Sequence, residues 1–283
     1  MKIGIVLSGG MAKGAYQIGA LRAVQEFIPL NEIEYFSCAS IGVLNGYAFA
    51  TGQLDKGEEM WLSLCNEDNR MIISQILRSN QLQQNIVNLY VPGTEPTSHF
   101  YCSLLDFSNR TVVYKDLSKV EGETIPLYLK ASVAMPIYNR AVKIDDVSYY
   151  DGAMADNIPV MPFVKLDLDY IICVYFDENC YRFETPDFDK RVIKITFPSE
   201  TVVSQSIIFS KKNIEKMVDV GYERTKFILS SIMKNGYQDV DSIIKNNQFY
   251  NKNAGDISLR ITGDMLVSNI NRVAKRLTSR KIK

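Results

Sequence analysis

Histidine is nearly absent: His99 is the only one in 283 residues. A catalytic triad of serine, histidine and acid would therefore have to use that residue. Net charge is absent too, because 32 basic residues balance 32 acidic ones. No overall field draws the chain toward a polyanion, which argues against a nucleic-acid binder. No apolar run reaches about 18 residues, the length that spans a bilayer. Met1-Lys2 leads straight into Ile3–Leu7, without the longer apolar stretch and small-residue cleavage site of a secretory signal. The expectation is a cytoplasmic protein with no transmembrane segment. Cys38, Cys65, Cys102, Cys173 and Cys180 are odd in number and lack the spacing of a zinc site or a disulfide framework. Reduced, mostly buried thiols are expected, and no metal or organic cofactor. With 46% hydrophobic and 23% charged residues, the chain can build a sizeable core.

The first fifty residues read as strand, turn, helix, strand, turn, helix. Ile3–Leu7 is a short apolar run of the kind buried inside a parallel sheet. From Gly14 the spacing of Ile18, Leu21, Val24 and Phe27 is helical, until Pro29. Glu34–Ala39 reads as a second strand and Ile41–Phe49 as a second helix. Further strands are expected at His99–Asp106, Thr111–Tyr114, Val147–Tyr150, Tyr170–Phe176 and Val192–Thr196. Helices are expected over 203–233 and about 265–280. Strands alternating with helices imply a doubly wound α/β sheet. The stretch 66–98 reads as polar and irregular around an apolar helical segment, Met71–Leu77, and is the candidate insertion or lid. With no repeat or linker, one domain over 1–283 is expected.

Two turns can carry chemistry. Ser8-Gly9-Gly10-Met11-Ala12-Lys13-Gly14 joins the first strand to the first helix, where backbone N–H groups at a helix N-terminus suit an anion. It lacks the Gly-Lys-Ser/Thr of a Walker loop and the Gly-x-Gly-x-x-Gly of a dinucleotide fingerprint. An oxyanion hole is the better reading. Cys38-Ala39-Ser40-Ile41-Gly42 joins the second strand to the second helix, as a nucleophile elbow does, although a serine before a helix is often only its N-cap. Both turns lie at the carboxyl ends of consecutive strands, where doubly wound sheets place ligands. Ser40 needs a base. His99 stands early, at the start of a strand, whereas Asp151 follows a short strand among aromatic and apolar residues that would raise its proton affinity.

These motifs, in this order, resemble the patatin-like phospholipase family. Gly9-Gly10-Met11-Ala12-Lys13-Gly14 is similar to its oxyanion-hole loop, Ala39-Ser40-Ile41-Gly42 to its elbow and Asp151-Gly152-Ala153 to its acid motif. Ala131–Pro136, Asn157 and Pro159 also match, and the resemblance runs from about residue 3 to 165. It implies a three-layer α/β/α sandwich, Ser40 as nucleophile, Asp151 as base, and Gly9, Gly10 and Met11 as the oxyanion hole. Lys13 and Gly14 would support the loop. The implied substrate is a lipid carboxylic ester, met at a membrane surface. Two positions depart from the family, which usually has glycine where Met11 and Cys38 stand. They leave a second reading open, a catalytically silent lipid-binding relative. After Asp264 the chain is free of acidic residues. There Arg272, Lys275, Arg276, Arg280, Lys281 and Lys283 accompany Leu266, Ile270, Val273 and Leu277 at helical spacing, as in a helix that lies on an anionic bilayer.

Overall fold

A computed structural model of the chain describes residues 1–64, 71–72, 76, 80–136, 138–177, 180–197, 208–251 and 258–259. In chain order these form β1 (Ile3–Leu7), α1 (Gly14–Phe27), β2 (Ile33–Ala39), α2 (Ile41–Ala50), α3 (Leu54–Ser63) and β3 (Met71–Ile72). A helix over Asn80–Leu89, β4 (His99–Asp106), β5 (Thr111–Asp116), a helix over Ile125–Ser132, β6 (Val142–Ile144) and β7 (Val147–Asp151) follow. The remainder is β8 (Tyr170–Tyr175), β9 (Arg182–Phe183), β10 (Val192–Thr196), β11 (Ile208–Phe209), helices over Lys211–Ile232 and Val240–Asn251, and β12 (Ser258–Leu259).

β1 is apolar throughout because both its faces are covered. Ile3, Ile5 and Leu7 enter a large core and Val6 a smaller one, the alternation of a pleated strand. The large core lies under the helices. The smaller one is closed by Ile158–Leu168 and by Phe183 and Phe188. The result is a three-layer α/β/α sandwich. β10, β8, β1, β2 and β4 are parallel neighbours in that order. β5 and the hairpin β6–β7 add antiparallel pairs. Ser8 and Ser40 follow β1 and β2, which lie side by side, so the two glycine- and serine-bearing turns emerge together.

Two glycines bring α1 and the helix Lys211–Ile232 unusually close. A Cβ on Gly19 would stand 1.8 Å from the Val218 carbonyl oxygen, and one on Gly221 would stand 2.1 Å from that of Tyr16. Lys226 Nζ pairs with Glu26 Oε2 at 2.8 Å beside this crossing. The helix that opens at the glycine loop is thereby clamped to the C-terminal half of the chain.

The strands expected at Ile3–Leu7, His99–Asp106 and Val192–Thr196 have those bounds. The stretch 66–98 differs. Met71–Ile72, expected to be helical, pairs antiparallel with Ile208–Phe209. The helix lies later, over Asn80–Leu89, where Leu82, Ile86 and Leu89 are buried at positions i, i+4 and i+7. The asparagines and glutamines between them disguised this amphipathic pattern as an irregular one. The helix expected over 203–233 is described from Lys211 to Ile232. The segment expected to be helical at 265–280 lies outside the described residues. Among the described residues, no helix is long and apolar enough to cross a membrane.

Candidate active site

Ser40 sits between the last residue of β2 and the first of α2 with φ 54° and ψ −132°. A non-glycine residue there stores about 1–3 kcal/mol of strain, which the surroundings must hold in place. Small residues let them do so. A Cβ on Gly42 would stand 2.7 Å from the Leu7 carbonyl oxygen and 2.8 Å from that of Ser8, so α2 rests directly on the end of β1. A Cβ on Gly46 would stand 2.7 Å from Cys38 Sγ. The thiol at the position where glycine is usual thus fits because a glycine faces it from α2. Of the described cysteines, Cys38, Cys102, Cys173 and Cys180 are free thiols, and the first three are buried.

Register explains how Asp151 reaches Ser40 across 111 positions of sequence. On β4, residues 101–103 pair with β2 on one edge and β5 on the other. Residues 104–106 pair with β5 and β7. β7 therefore occupies the edge that β2 has just vacated, running the opposite way. Ala39 is partnered by Ser103 and Asp151 by Leu104, so the two strands end face to face. Ser40 Oγ donates to Asp151 Oδ2 at 2.6 Å. Asp151 Oδ1 accepts from Ala153 N at 2.9 Å, and Asp151 N donates to Ala134 O at 2.9 Å. That last bond gives the Ala131–Pro136 segment its part in the site. Asp151 is 2% exposed, and burial pushes its carboxyl up to about 7 against the opposing hydrogen bonds from Ser40 and Ala153. Asp156, one turn further on, is also pushed up to about 7 by burial and accepts from the Tyr114 hydroxyl at 2.5 Å.

The glycine loop lies beside Ser40. A Cβ on Gly9 would stand 2.9 Å from Ser40 Cβ, and one on Gly10 would enter the Phe176 ring. Ser8 N donates to Val174 O at 3.0 Å, tying the loop to β8. Gly9 N, expected to serve an oxyanion, donates to Asn157 O at 3.2 Å. The N–H groups of Gly10 and Met11 make no hydrogen bond to any described residue. Met11 adopts φ 52°, which accounts for glycine being usual there, and its side chain is 43% exposed. Lys13 is half-buried and attracted to Asp177; burial lowers its proton affinity more than that attraction raises it. Gly14 is needed for space, since a Cβ would stand 2.6 Å from the Trp61 ring and 2.8 Å from Ile41.

Sequence reasoning missed the buried network that fixes this loop against the elbow. Gln17 Nε2 donates to Ser8 O at 2.8 Å. Asn45 Nδ2 donates to Gly14 O at 2.8 Å and Gln17 Oε1 at 2.9 Å, and Asn45 Oδ1 accepts from Trp61 Nε1 at 2.9 Å. The available signal was Asn45 itself, a lone amide in the apolar helix Ile41–Ala50 that burial obliges to find partners.

Ser40 and Asp151 open into a narrow cleft of about 40 Å³, walled by Met11, Ile41, Trp61, Leu64, Ile76, Leu82, Val133 and Met135. Ile76 and Leu82 come from the stretch expected to be a lid. A larger hollow, about 600 Å³, lies between α3 and the helix Asn80–Leu89. Its Ser63 hydroxyl donates to Met60 O and accepts from Asn85 Nδ2, and so is already engaged. His99 is remote from Ser40. It pairs in register with Tyr35, five positions back along β2, which is about 17 Å at the rise of a strand. Its Nδ1 lies 2.9 Å from Asp116 Oδ2, and its ring stacks on Tyr35.

Comparison with known proteins gives a family. VipD from Legionella pneumophila is similar at 12% identity and a TM-score of 0.46, over 81% of this chain and 66% of its own. The type III effector protein ExoU is similar at 13% identity and a TM-score of 0.43, over 98% of this chain and 62% of its own. The chain thus spans less than two thirds of either structure's length. No curated protein sequence matches the chain. The sequence profile of the patatin-like phospholipases matches residues 5–164, which is more than half of the chain and contains both turns and the acid motif. The chain belongs to the patatin-like phospholipase family.

Proposed function

We propose that this chain, acting as one domain, is a serine acyl hydrolase that cleaves lipid carboxylic esters, phospholipids foremost, and releases free fatty acid. The observation that carries the reading is the 2.6 Å bond from Ser40 Oγ to Asp151 Oδ2 at the floor of an apolar cleft. Asp151 takes the Ser40 proton as Oγ bonds to the ester carbonyl carbon. The carbonyl oxygen becomes negative and is held by the N–H groups of Gly10 and Met11. As the C–O bond breaks, Asp151 returns the proton to the departing alcohol. A water then gives its proton to Asp151 and attacks the acyl-enzyme, which releases the fatty acid and restores Ser40. The apolar walls suit the acyl chain. The basic stretch beyond Asp264 supplies the attraction to an anionic lipid surface.

The test is mass spectrometry of the products formed from a mixed-lipid extract, with Ser40→Ala run in parallel. Fatty acid and lysolipid should accumulate with the wild-type chain alone. Equal release by both would contradict the reading.

The environment of Asp151 sets the pH dependence. The base works ionised, so kcat/KM on a soluble ester should fall about tenfold per unit as pH drops below about 7. Stability should move the other way. A carboxyl raised to about 7 in the fold, against about 3.9 unfolded, makes the folded chain bind more protons between those values. Asp151 and Asp156 each therefore lower stability as pH rises through that window. Parallel pH scans of turnover and of denaturant midpoint check both signs; a rate that stays flat from pH 5 to 8 would contradict the assignment.

A further inference from the structure

Asn157 takes one donor from the glycine loop and stands where it can return another. Its carbonyl accepts the Gly9 N–H at 3.2 Å, so that group cannot serve a substrate. Its side chain faces the same place: the point where a Gly9 Cβ would stand is 2.6 Å from Asn157 Oδ1 and 2.9 Å from Ser40 Cβ. The carboxamide and the nucleophile are neighbours across the space that glycine leaves open. Asn157 is solvent-exposed between buried Asp156 and Ile158, and its carboxamide makes no hydrogen bond to any described residue. Among the described residues no partner fixes its rotation, so a half-turn about the terminal bond exchanges Oδ1 for Nδ2 at little cost. The buried network Gln17–Asn45–Trp61 shows what this chain does with a structural amide, which is to saturate it. Asn157 is exposed instead, with no hydrogen bond to a described residue, so its carboxamide is open to a ligand.

We propose that the Asn157 carboxamide is a catalytic donor, the third hold on the ester oxygen beside the N–H groups of Gly10 and Met11. The inference rests on the acyl-hydrolase reading and adds to it a residue outside the glycine loop. Nδ2 donates to the carbonyl oxygen most strongly once that oxygen is negative, so the gain falls on the chemical step more than on substrate binding. A carboxylate of the same shape could not do this. It would offer no proton and would repel the developing charge.

The test compares Asn157→Ala and Asn157→Asp with the wild-type full-length chain on p-nitrophenyl butyrate, a soluble ester that needs no lipid surface. Removing one oxyanion donor should lower kcat about 10²-fold, with KM nearly unchanged. Asn157→Asp should lose at least as much, and covalent labelling by a fluorophosphonate, whose phosphoryl oxygen sits where the oxyanion does, should slow in parallel. Thermal melts identify any loss from unfolding, and the isosteric Asp variant decides should the Ala variant melt low. Turnover in both variants within about threefold of an active wild type, or a loss confined to KM, would overturn the inference and leave the hydrolase reading standing. A wild type that neither turns over nor labels would overturn the hydrolase reading, and this inference with it.

Discussion

Ser40→Ala and Asp151→Asn are each expected to lower kcat for ester hydrolysis by about 10⁴-fold or more, and the double variant is expected to fall little further. The members of such a pair act as a unit: a hydroxyl with no base and a base with no hydroxyl are almost equally idle. Asp151→Asn is the sharper of the two. Asparagine fills the same space at the end of β7, but its single oxygen can accept from Ala153 N or from Ser40, not from both, and it takes no proton. The same change should stabilise the fold above pH 7, where the wild-type carboxylate is ionised although buried; burial is what raises its proton affinity. A variant that melts higher at pH 8 while losing turnover would show that the site trades stability for reactivity. His99→Ala is the matched control and should stay within a few-fold of wild type, because His99 opens β4 beside the far end of β2 and pairs with Asp116. Steady-state kinetics on a soluble ester measures all of these. Near-normal turnover by Asp151→Asn would remove the base assigned here.

Gly221→Val should be the most damaging change away from the site. Overpacking a core ordinarily costs about 1–3 kcal/mol and occasionally more. Here the new carbon would stand 2.1 Å from the Tyr16 carbonyl oxygen. That is backbone within α1, so no side chain can rotate aside. The two helices must separate, which exposes Ile18, Leu21, Met217 and Val218, all buried at present. A loss above about 3 kcal/mol lowers the melting temperature by roughly 5 °C in a chain of this size. Gly52→Ala is the comparison, with φ 69° but nothing within 4 Å of an added carbon, so only its backbone conformation is strained. A melt of Gly221→Val within 3 °C of wild type would mean that this contact does not hold α1 in place.

The places of the two turns and of the acid were readable from the chain because each is a local feature. Ser40, the glycine loop and Asp151 each lie where a strand stops, and strand ends are set by short-range pattern. The continuous apolar run Ile3–Leu7 told of a doubly covered strand for the same reason. Four features were out of reach. That β7 takes over the edge of β4 where β2 ends is a long-range register, with no local trace in Val147–Asp151. Gly9's N–H is already used by Asn157, and only the folded loop reveals that. The helix Asn80–Leu89 hid behind amide side chains, although Leu82, Ile86 and Leu89 carry its buried face. Gln17, Asn45 and Trp61 each look like ordinary helix residues until α1, α2 and α3 meet.

The central claim is that Ser40 is a nucleophile made reactive by Asp151, and covalent labelling tests it most directly. The full-length chain is treated with a fluorophosphonate at pH 8 and the adduct is mapped by peptide mass spectrometry. The expected result is one adduct, on Ser40, formed at least about 10³-fold more slowly in Asp151→Asn, the scale on which an essential base contributes. A folded chain that takes up no label, or one whose label sits on another residue, would contradict the account and favour the catalytically silent lipid-binding relative.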